Sequence, residues 1–321
     1  MTDPFVAPSW LQGMHSQTLW SYLVQGAPSP SLRRERVTTP DGDFVDLDWM
    51  DGPADAPLVI ALHGLEGSSS GPYMRRLMGR IQARGWRGVV LHSRGCSGED
   101  NRFAQAYHAG HVADIRALLP TLVGAGSPVF MVGYSLGGAQ LMRFLGEFPD
   151  EVPAGVRAAF TVSSPMTLEV GSESLKHGFN RAYTLKFLWT LRAKAALKAR
   201  LFPEHAECAR RAGRAWSLEA FDAAWTAPVH GFDSVSDYYA RAAAGPFLRN
   251  VRVPSRLLMA RDDTIVPPES LREEQVAGAA AVDVLWTEGG GHVGFVCQGR
   301  PHWLEDEILG WFEAHGNPPT R

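Results

Sequence analysis

Pro128-Val129-Phe130-Met131-Val132-Gly133-Tyr134-Ser135-Leu136-Gly137 is an apolar run ending in a Gly-x-Ser-x-Gly pattern, and a helix-like stretch over residues 139–148 follows it. Glycines on either side of a serine let the chain turn sharply from strand to helix, so that the hydroxyl stands exposed at the turn. The layout is that of a nucleophile elbow and predicts a reactive serine at Ser135. Five residues also match by chance, so the reading depends on finding an acid and a base further along the chain.

Both are found, in the order Ser, acid, His that belongs to the α/β-hydrolase fold. Residues 255–260 read as a strand, and Arg261-Asp262-Asp263-Thr264-Ile265-Val266-Pro267 places two acids at its C-terminal end. A second strand-like run, 281–286, leads to Gly289-Gly290-Gly291-His292-Val293-Gly294-Phe295, where glycines leave room for an imidazole to approach a neighbour. Adjacent side chains at a strand end point to different sides, so only one of the two acids can orient His292. Ala260, Asp263, Val266 and Pro267 fit the spacing of small residue, two residues, Asp, two residues, Val-Pro, which favours Asp263. Asp262 is then expected to serve a turn or to cap a helix predicted over 267–276. The loop Leu62-His63-Gly64-Leu65-Glu66-Gly67 follows a strand-like run at 58–62, and it is expected to supply the Leu65 N–H to an oxyanion hole. The Leu136 N–H would supply the other donor.

With these residues in view, the chain resembles the YheT-like, or embryogenesis-associated, α/β-hydrolases. The resemblance runs through His63-Gly64-Leu65-Glu66-Gly67, Ser93-Arg94-Gly95-Cys96-Ser97-Gly98, Tyr107-His108-Ala109-Gly110, Gly133 to Gly138, Phe221-Asp222, Gly231-Phe232, Tyr238-Tyr239, Asp262-Asp263 and Gly290 to Phe295. Trp10-Leu11 and His15-Ser16-Gln17-Thr18 are similar to that family's opening. The resemblance implies a carboxylic ester hydrolase with Ser135, Asp263 and His292 as its triad. It calls for no cofactor and no metal. Short to medium acyl chains are expected; lipase, phospholipase or acyltransferase action on lipid esters, and ligand binding without catalysis, are the alternatives.

Composition agrees. A single α/β-hydrolase domain over 1–321, with a helical cap inserted at 164–250, accounts for the length. The chain carries 31 basic and 34 acidic residues, a net charge of -3, which argues against nucleic acid as a partner. Three cysteines, Cys96, Cys208 and Cys297, are too few and too odd for a disulfide framework. The start, Met1-Thr2-Asp3-Pro4-Phe5, has no basic segment ahead of an apolar core, so a cytoplasmic location is expected. Residues 117–142 carry no charge, but Pro120, Gly124, Gly126, Pro128 and Gly133 interrupt them; they read as a helix end, a buried strand and the elbow.

Further strands are expected over 36–50 as an edge hairpin, 88–92 and 158–162, and helices over 73–84, 109–122 and 302–314. Within the inserted segment, Arg181, Lys186, Arg192, Lys194, Lys198 and Arg200 alternate with leucines and aromatics. One reading of 181–200 is a basic amphipathic helix making peripheral contact with anionic lipid. The favoured reading is a cap helix with a solvated basic face and a buried apolar one. His63 is expected to be a hydrogen-bonded structural residue, Cys96 a packing residue, and His108, His111 and Asp114 no metal site.

Overall fold

Alternating side chains decide how the centre of the molecule is covered. Leu58, Ile60 and Leu62 join Val89, Leu91, Val129 and Met131 in one buried cluster, whereas Val59 and Ala61 join Val90, Phe130, Val132 and Tyr134 in another. Successive strand residues point to opposite faces, so both faces of this sheet must be roofed by helices, which is why its central runs carry no charge. The computed structural model describes residues 4–124 and 126–316. Residues 1–3, on which the leader reading partly rests, and Ala125, inside the uncharged run, lie outside the described residues.

The strands are β1 Arg33–Thr38, β2 Phe44–Met50, β3 Leu58–Leu62, β4 Arg87–Leu91, β5 Val129–Tyr134, β6 Val156–Val162, β7 Ser255–Ala260 and β8 Val282–Thr287. They form one sheet in the order β1-β2-β4-β3-β5-β6-β7-β8. The β1-β2 hairpin and the β2-β4 pair are antiparallel; every later pairing is parallel. The expected fold is therefore observed, a mostly parallel sheet flanked by helices.

The chain opens with α1 Met14–Leu23. Helices α2 Pro72–Ala83, α3 Ala113–Leu122 and α4 Leu136–Glu147 alternate with the central strands. Between β6 and β7 come α5 Leu168–Ser174, α6 Asn180–Leu201, α7 Ala206–Ala212, α8 Leu218–Phe221, a π turn at Asp222–Thr226, α9 Ala227–Val229 and α10 Val235–Ala242. After β7 follow α11 Glu273–Val276 and, closing the described chain, α12 Trp303–His315. Helices α2 and α12 cover one face through Met74, Leu77, Ile81, Ile308 and Phe312, and α3 and α4 cover the other through Leu118, Leu119, Leu141 and Phe144.

Two helical expectations need correction. The helix predicted over 109–122 starts only at Ala113, and the one over 267–276 divides into a 3-10 turn, Pro268–Ser270, and the short α11. Leu271, between them, is extended and buried in the core, which a continuous helix would not allow. The segment 117–142 maps onto α3, β5 and the start of α4, and no described helix is long and apolar enough to cross a membrane.

Beneath α2, the Arg76 guanidinium donates to Glu305 Oε1 at 3.2 Å, to Ser21 O at 2.9 Å and to Ser21 Oγ at 2.7 Å. Both charges are 2% exposed, and burial pushes the Glu305 carboxyl above its ordinary range. Breaking such a pair from one side leaves an uncompensated charge in the interior. Arg76→Met should therefore lower unfolding free energy by about 3–5 kcal/mol, whereas Arg76→Met with Glu305→Leu should recover most of it. Urea titration of the three proteins checks this; a single variant within ~1 kcal/mol of the parent would contradict it.

Candidate active site

The elbow is built by close backbone approach. Ser135 has φ 50° and ψ -121°, and its N–H donates to Val162 O at 2.8 Å, which ties the turn to β6. A Cβ on Gly137 would lie 2.4 Å from His63 O and one on Gly138 would lie 1.9 Å from Ser164 Oγ, so only glycine fits behind the serine. The loop after β3 runs against the same turn: a Cβ on Gly64 would come within 3.2 Å of Ser135 Cβ.

The three candidate side chains converge. Ser135 Oγ lies 3.0 Å from His292 Nε2, and His292 Nδ1 lies 2.8 Å from Asp263 Oδ2. A carboxylate can only accept, so Nδ1 carries the imidazole proton and Nε2 is left to accept from the serine hydroxyl. Asp263 Oδ1 accepts from the Ile265 and Val266 amides at 2.8 and 2.9 Å, which fixes the carboxylate on a buried turn. Of the two adjacent acids, Asp263 is the one that meets the imidazole.

Asp262 lies in the turn after β7, as one of its two expected roles has it, but caps no helix. Its Oδ1 accepts from Gly291 N at 2.9 Å, one residue before the histidine, and the helix it was to cap does not form as one piece. It is one of several groups holding the histidine loop. The His292 amide donates to Thr18 Oγ1 at 2.9 Å, the Val293 amide to Ser163 Oγ at 3.1 Å, and the Val296 amide to Gln17 Oε1 at 2.7 Å. Gln17, fully buried, returns the contact by donating to Val296 O. A Cβ on Gly291 would fall 2.4 Å from Met14 O, so α1 presses directly on this loop. Val293, at φ 58°, is a β-branched residue in a region that such residues avoid, and these contacts hold it there. Neither Gln17 nor Thr18 is legible as a site residue from local pattern, because their partners lie far along the chain.

The loop after β3 is braced as well. The His63 ring donates through Nδ1 to Gly64 O at 2.8 Å and accepts at Nε2 from Ser93 N at 3.0 Å; burial pushes its pKa down to about 3. It is a neutral structural residue, as expected. Glu66, at φ 55°, accepts from Tyr107 OH at 2.9 Å and from Lys194 Nζ on α6 at 2.8 Å. Among the described residues, no hydrogen-bond acceptor is found for the Leu65 or Leu136 amide. Cys96 packs beside Lys194, and burial pushes its thiol up to about 11, away from thiolate chemistry. Asp114 accepts from both Arg94 and His111, and His108 packs against His230, Phe232 and Tyr238.

Ser135 and His292 open into a cavity between the sheet and the helices that follow β6. Its walls are mostly apolar, with Leu168, Leu175, Phe187, Leu191, Leu218 and Ile265 among them. The expectation for residues 181–200 is met only in part. Helix α6 turns Asn180, Thr184 and Lys198 inward together with Leu188 and Ala195, while Leu185, Trp189 and Leu201 are exposed beside Arg181 and Lys186. Polar side chains on the inner face find partners there, as Lys194 does on Glu66 and Lys198 on Asn101 O, so charge does not mark the outer face.

Comparison with known proteins shows the family and the fold. The family described as alpha/beta hydrolase fold matches residues 57–296. YheT of Escherichia coli (strain K12), whose name marks it as a provisional esterase, is 36% identical over 332 residues, covering 97% of this chain and 93% of that protein. Phospholipase ABHD3 of Mus musculus is 28% identical over 307 residues, covering 92% of this chain and 74% of its own. Among solved structures, the Pyrococcus furiosus esterase Pf2001 matches with a TM-score of 0.61 at 17% identity, over 92% of this chain and 96% of that one, a likeness of fold.

Thr18 offers a test of the clamp. Thr18→Val keeps the shape of the side chain and removes the acceptor for the His292 amide. The rate at which a phosphonate probe labels Ser135 should fall by about tenfold, the equivalent of one hydrogen bond that positions a reacting group. Labelling at the parental rate would show that the loop holds its place without Thr18.

Proposed function

The chain belongs to the YheT-like α/β-hydrolases, and from that premise we propose that it is a serine hydrolase of carboxylic esters acting through Ser135, His292 and Asp263. The observation that carries the reading is the unbroken hydrogen-bond relay from Asp263 Oδ2 through the imidazole to Ser135 Oγ. His292 takes the serine proton as Oγ attacks the ester carbonyl, and Asp263 holds the tautomer and stabilises the imidazolium that forms. The Leu65 and Leu136 amides receive the oxyanion. The alcohol leaves with the proton from His292, and water then hydrolyses the acyl-enzyme by the same groups. No cofactor enters this sequence. The helices over 164–250 act as a cap that excludes water and shapes the pocket, whose apolar walls suit short to medium acyl chains. Free Cys96, Cys208 and Cys297 fit a cytoplasmic location.

Ser135→Ala and His292→Ala should each lower turnover of p-nitrophenyl esters by about 10⁴-fold or more, and Asp263→Asn by a similar factor, because Asn favours the wrong tautomer. An acetate-to-palmitate series on the parent should peak at short or medium chains. Undiminished turnover in Ser135→Ala would refute the nucleophile, and a folded parent inert toward every ester would favour a non-catalytic ligand-binding role. Product analysis with an added acceptor alcohol separates hydrolysis from acyl transfer.

One surface favours lipid esters as a second reading. Trp189 is 78% exposed and Leu201 59%, on a helix that also presents Arg181 and Lys186, with Phe179 at 51% just before its start. Aromatic and basic side chains together suit an anionic lipid-water interface. Co-sedimentation with phosphatidylserine vesicles should be lost in Trp189→Glu, while hydrolysis of soluble esters persists. Equal vesicle binding by the two proteins would rule this surface out as the contact.

A further inference from the structure

The cavity is lined by a carboxylate that the proposed ester chemistry does not use. Asp222 follows α8 and opens the π turn Asp222–Thr226, a distortion that often marks a functional position in a helix. It lines the same cavity as Ser135 and His292. Its Oδ1 accepts from Thr226 Oγ1 at 2.6 Å, and its Oδ2 accepts from Tyr239 OH at 3.0 Å. Tyr239 spends its only proton on Asp222, so Ser172 Oγ, 2.8 Å away, donates to the tyrosine oxygen. Ser172, Thr226 and Tyr239 all line the cavity too.

Glu66 and Asp114 near the site each face a cation, Lys194 and Arg94, and Asp222, which lines the cavity, does not. Among the described residues, none forms an ion pair with Asp222, and the nearby charge that acts on it is the like charge of Glu219. Burial pushes its pKa up to about 6, against the lowering effect of its two hydroxyl partners. Ionised carboxylates inside proteins are costly without an opposite charge, and each oxygen here keeps a lone pair free for a donor. Asp222 lines the cavity together with Phe221, Tyr238 and Tyr239. Aromatic walls suit the alkyl surface and the charge of an organic ammonium group.

We propose that Asp222, with Tyr239 and Ser172, forms a subsite for a positively charged nitrogen on the substrate, so that the preferred esters carry an ammonium group. The inference rests on the assignment of Ser135 as nucleophile. A purely structural aspartate would be satisfied by its two hydroxyl partners and would show no preference for ligand charge.

The test uses two pairs of matched esters: a choline ester against its 3,3-dimethylbutyl isostere, which varies the alcohol, and p-nitrophenyl 6-aminohexanoate against p-nitrophenyl heptanoate, which varies the acyl chain. In at least one pair the charged ester should lead in kcat/KM by about 10- to 100-fold, the range of a charge-assisted contact. Asp222→Asn should collapse that ratio toward one, and Asp222→Glu should keep the charged ester ahead. A ratio near one for both pairs in the parent, or an unchanged ratio in Asp222→Asn, would overturn the subsite. So would an equal gain when a hydroxyl replaces the ammonium, which would make Asp222 a reader of neutral donors. Binding of butyltrimethylammonium to Ser135→Ala, measured by calorimetry and compared with Ser135→Ala carrying Asp222→Asn, reads the subsite without turnover. If no ester is cleaved yet the ammonium binds and the second substitution abolishes binding, the esterase reading fails and the subsite stands; loss of turnover with no ammonium binding removes both.

Discussion

A serine held at φ 50° is the constraint on which the rest of this structure depends. Glu66, Ser135, Ser163, Val293 and Phe295 are the non-glycine residues at positive φ among those described, and their loops meet at the nucleophile turn. Each such residue costs on the order of 1–3 kcal/mol, so the strain is concentrated where the strands end. It persists because β5 is flanked by β3 and β6 and covered on both faces, and because the glycines behind Ser135 let three loops touch through bare backbone. Add one methyl at Gly138 and Ser164 must move; move Ser164 and the neighbouring Ser163 hydroxyl no longer meets the Val293 amide. Nucleophile, histidine loop and sheet edge are one mechanical unit.

The same logic explains what the sequence made legible. The run 58–62 coincides with β3 because a strand buried on both faces has to be continuously apolar, and that requirement is local. The elbow and the Asp263 turn are local too, since their glycines, proline and spacing serve contacts within a few residues. The brace on the histidine loop is not. Gln17 and Thr18 sit on α1 and reach across the fold to Val296 and His292, and nothing in their own neighbourhood calls for that. Asp262 misled for a related reason, because a capping role was inferred from a helix that buried Leu271 breaks. Helix α6 defeated the polar-out rule, since its inward lysines are matched by acceptors from other loops.

Those inward lysines also connect the helices after β6 to the nucleophile's surroundings. Lys194 on α6 holds Glu66, whose strained backbone follows directly on Leu65. Tyr107 holds Glu66 from the other side, both accepting from its amide and donating to its carboxylate. The loop beside Ser135 is therefore positioned by the segment that also walls the cavity, so a change in the seating of α6 reaches the Leu65 amide through a single salt bridge. Partly buried charge pairs of this kind are sensitive to geometry, which suits a contact that couples pocket shape to the reacting centre.

Asp263 and Asp222 show how surroundings separate two residues of one type. Asp263 accepts two backbone amides and an imidazole, a set of donors that stabilises its charge and points it at one partner. Asp222 has two hydroxyls and a neighbouring glutamate, which leave its charge uncompensated. A cation placed in the cavity would lower the energy of the second and find nothing to gain from the first, which already has its counter-charge in prospect when His292 takes a proton. On the proposed reading, one aspartate supports a proton transfer and the other recognises a charge.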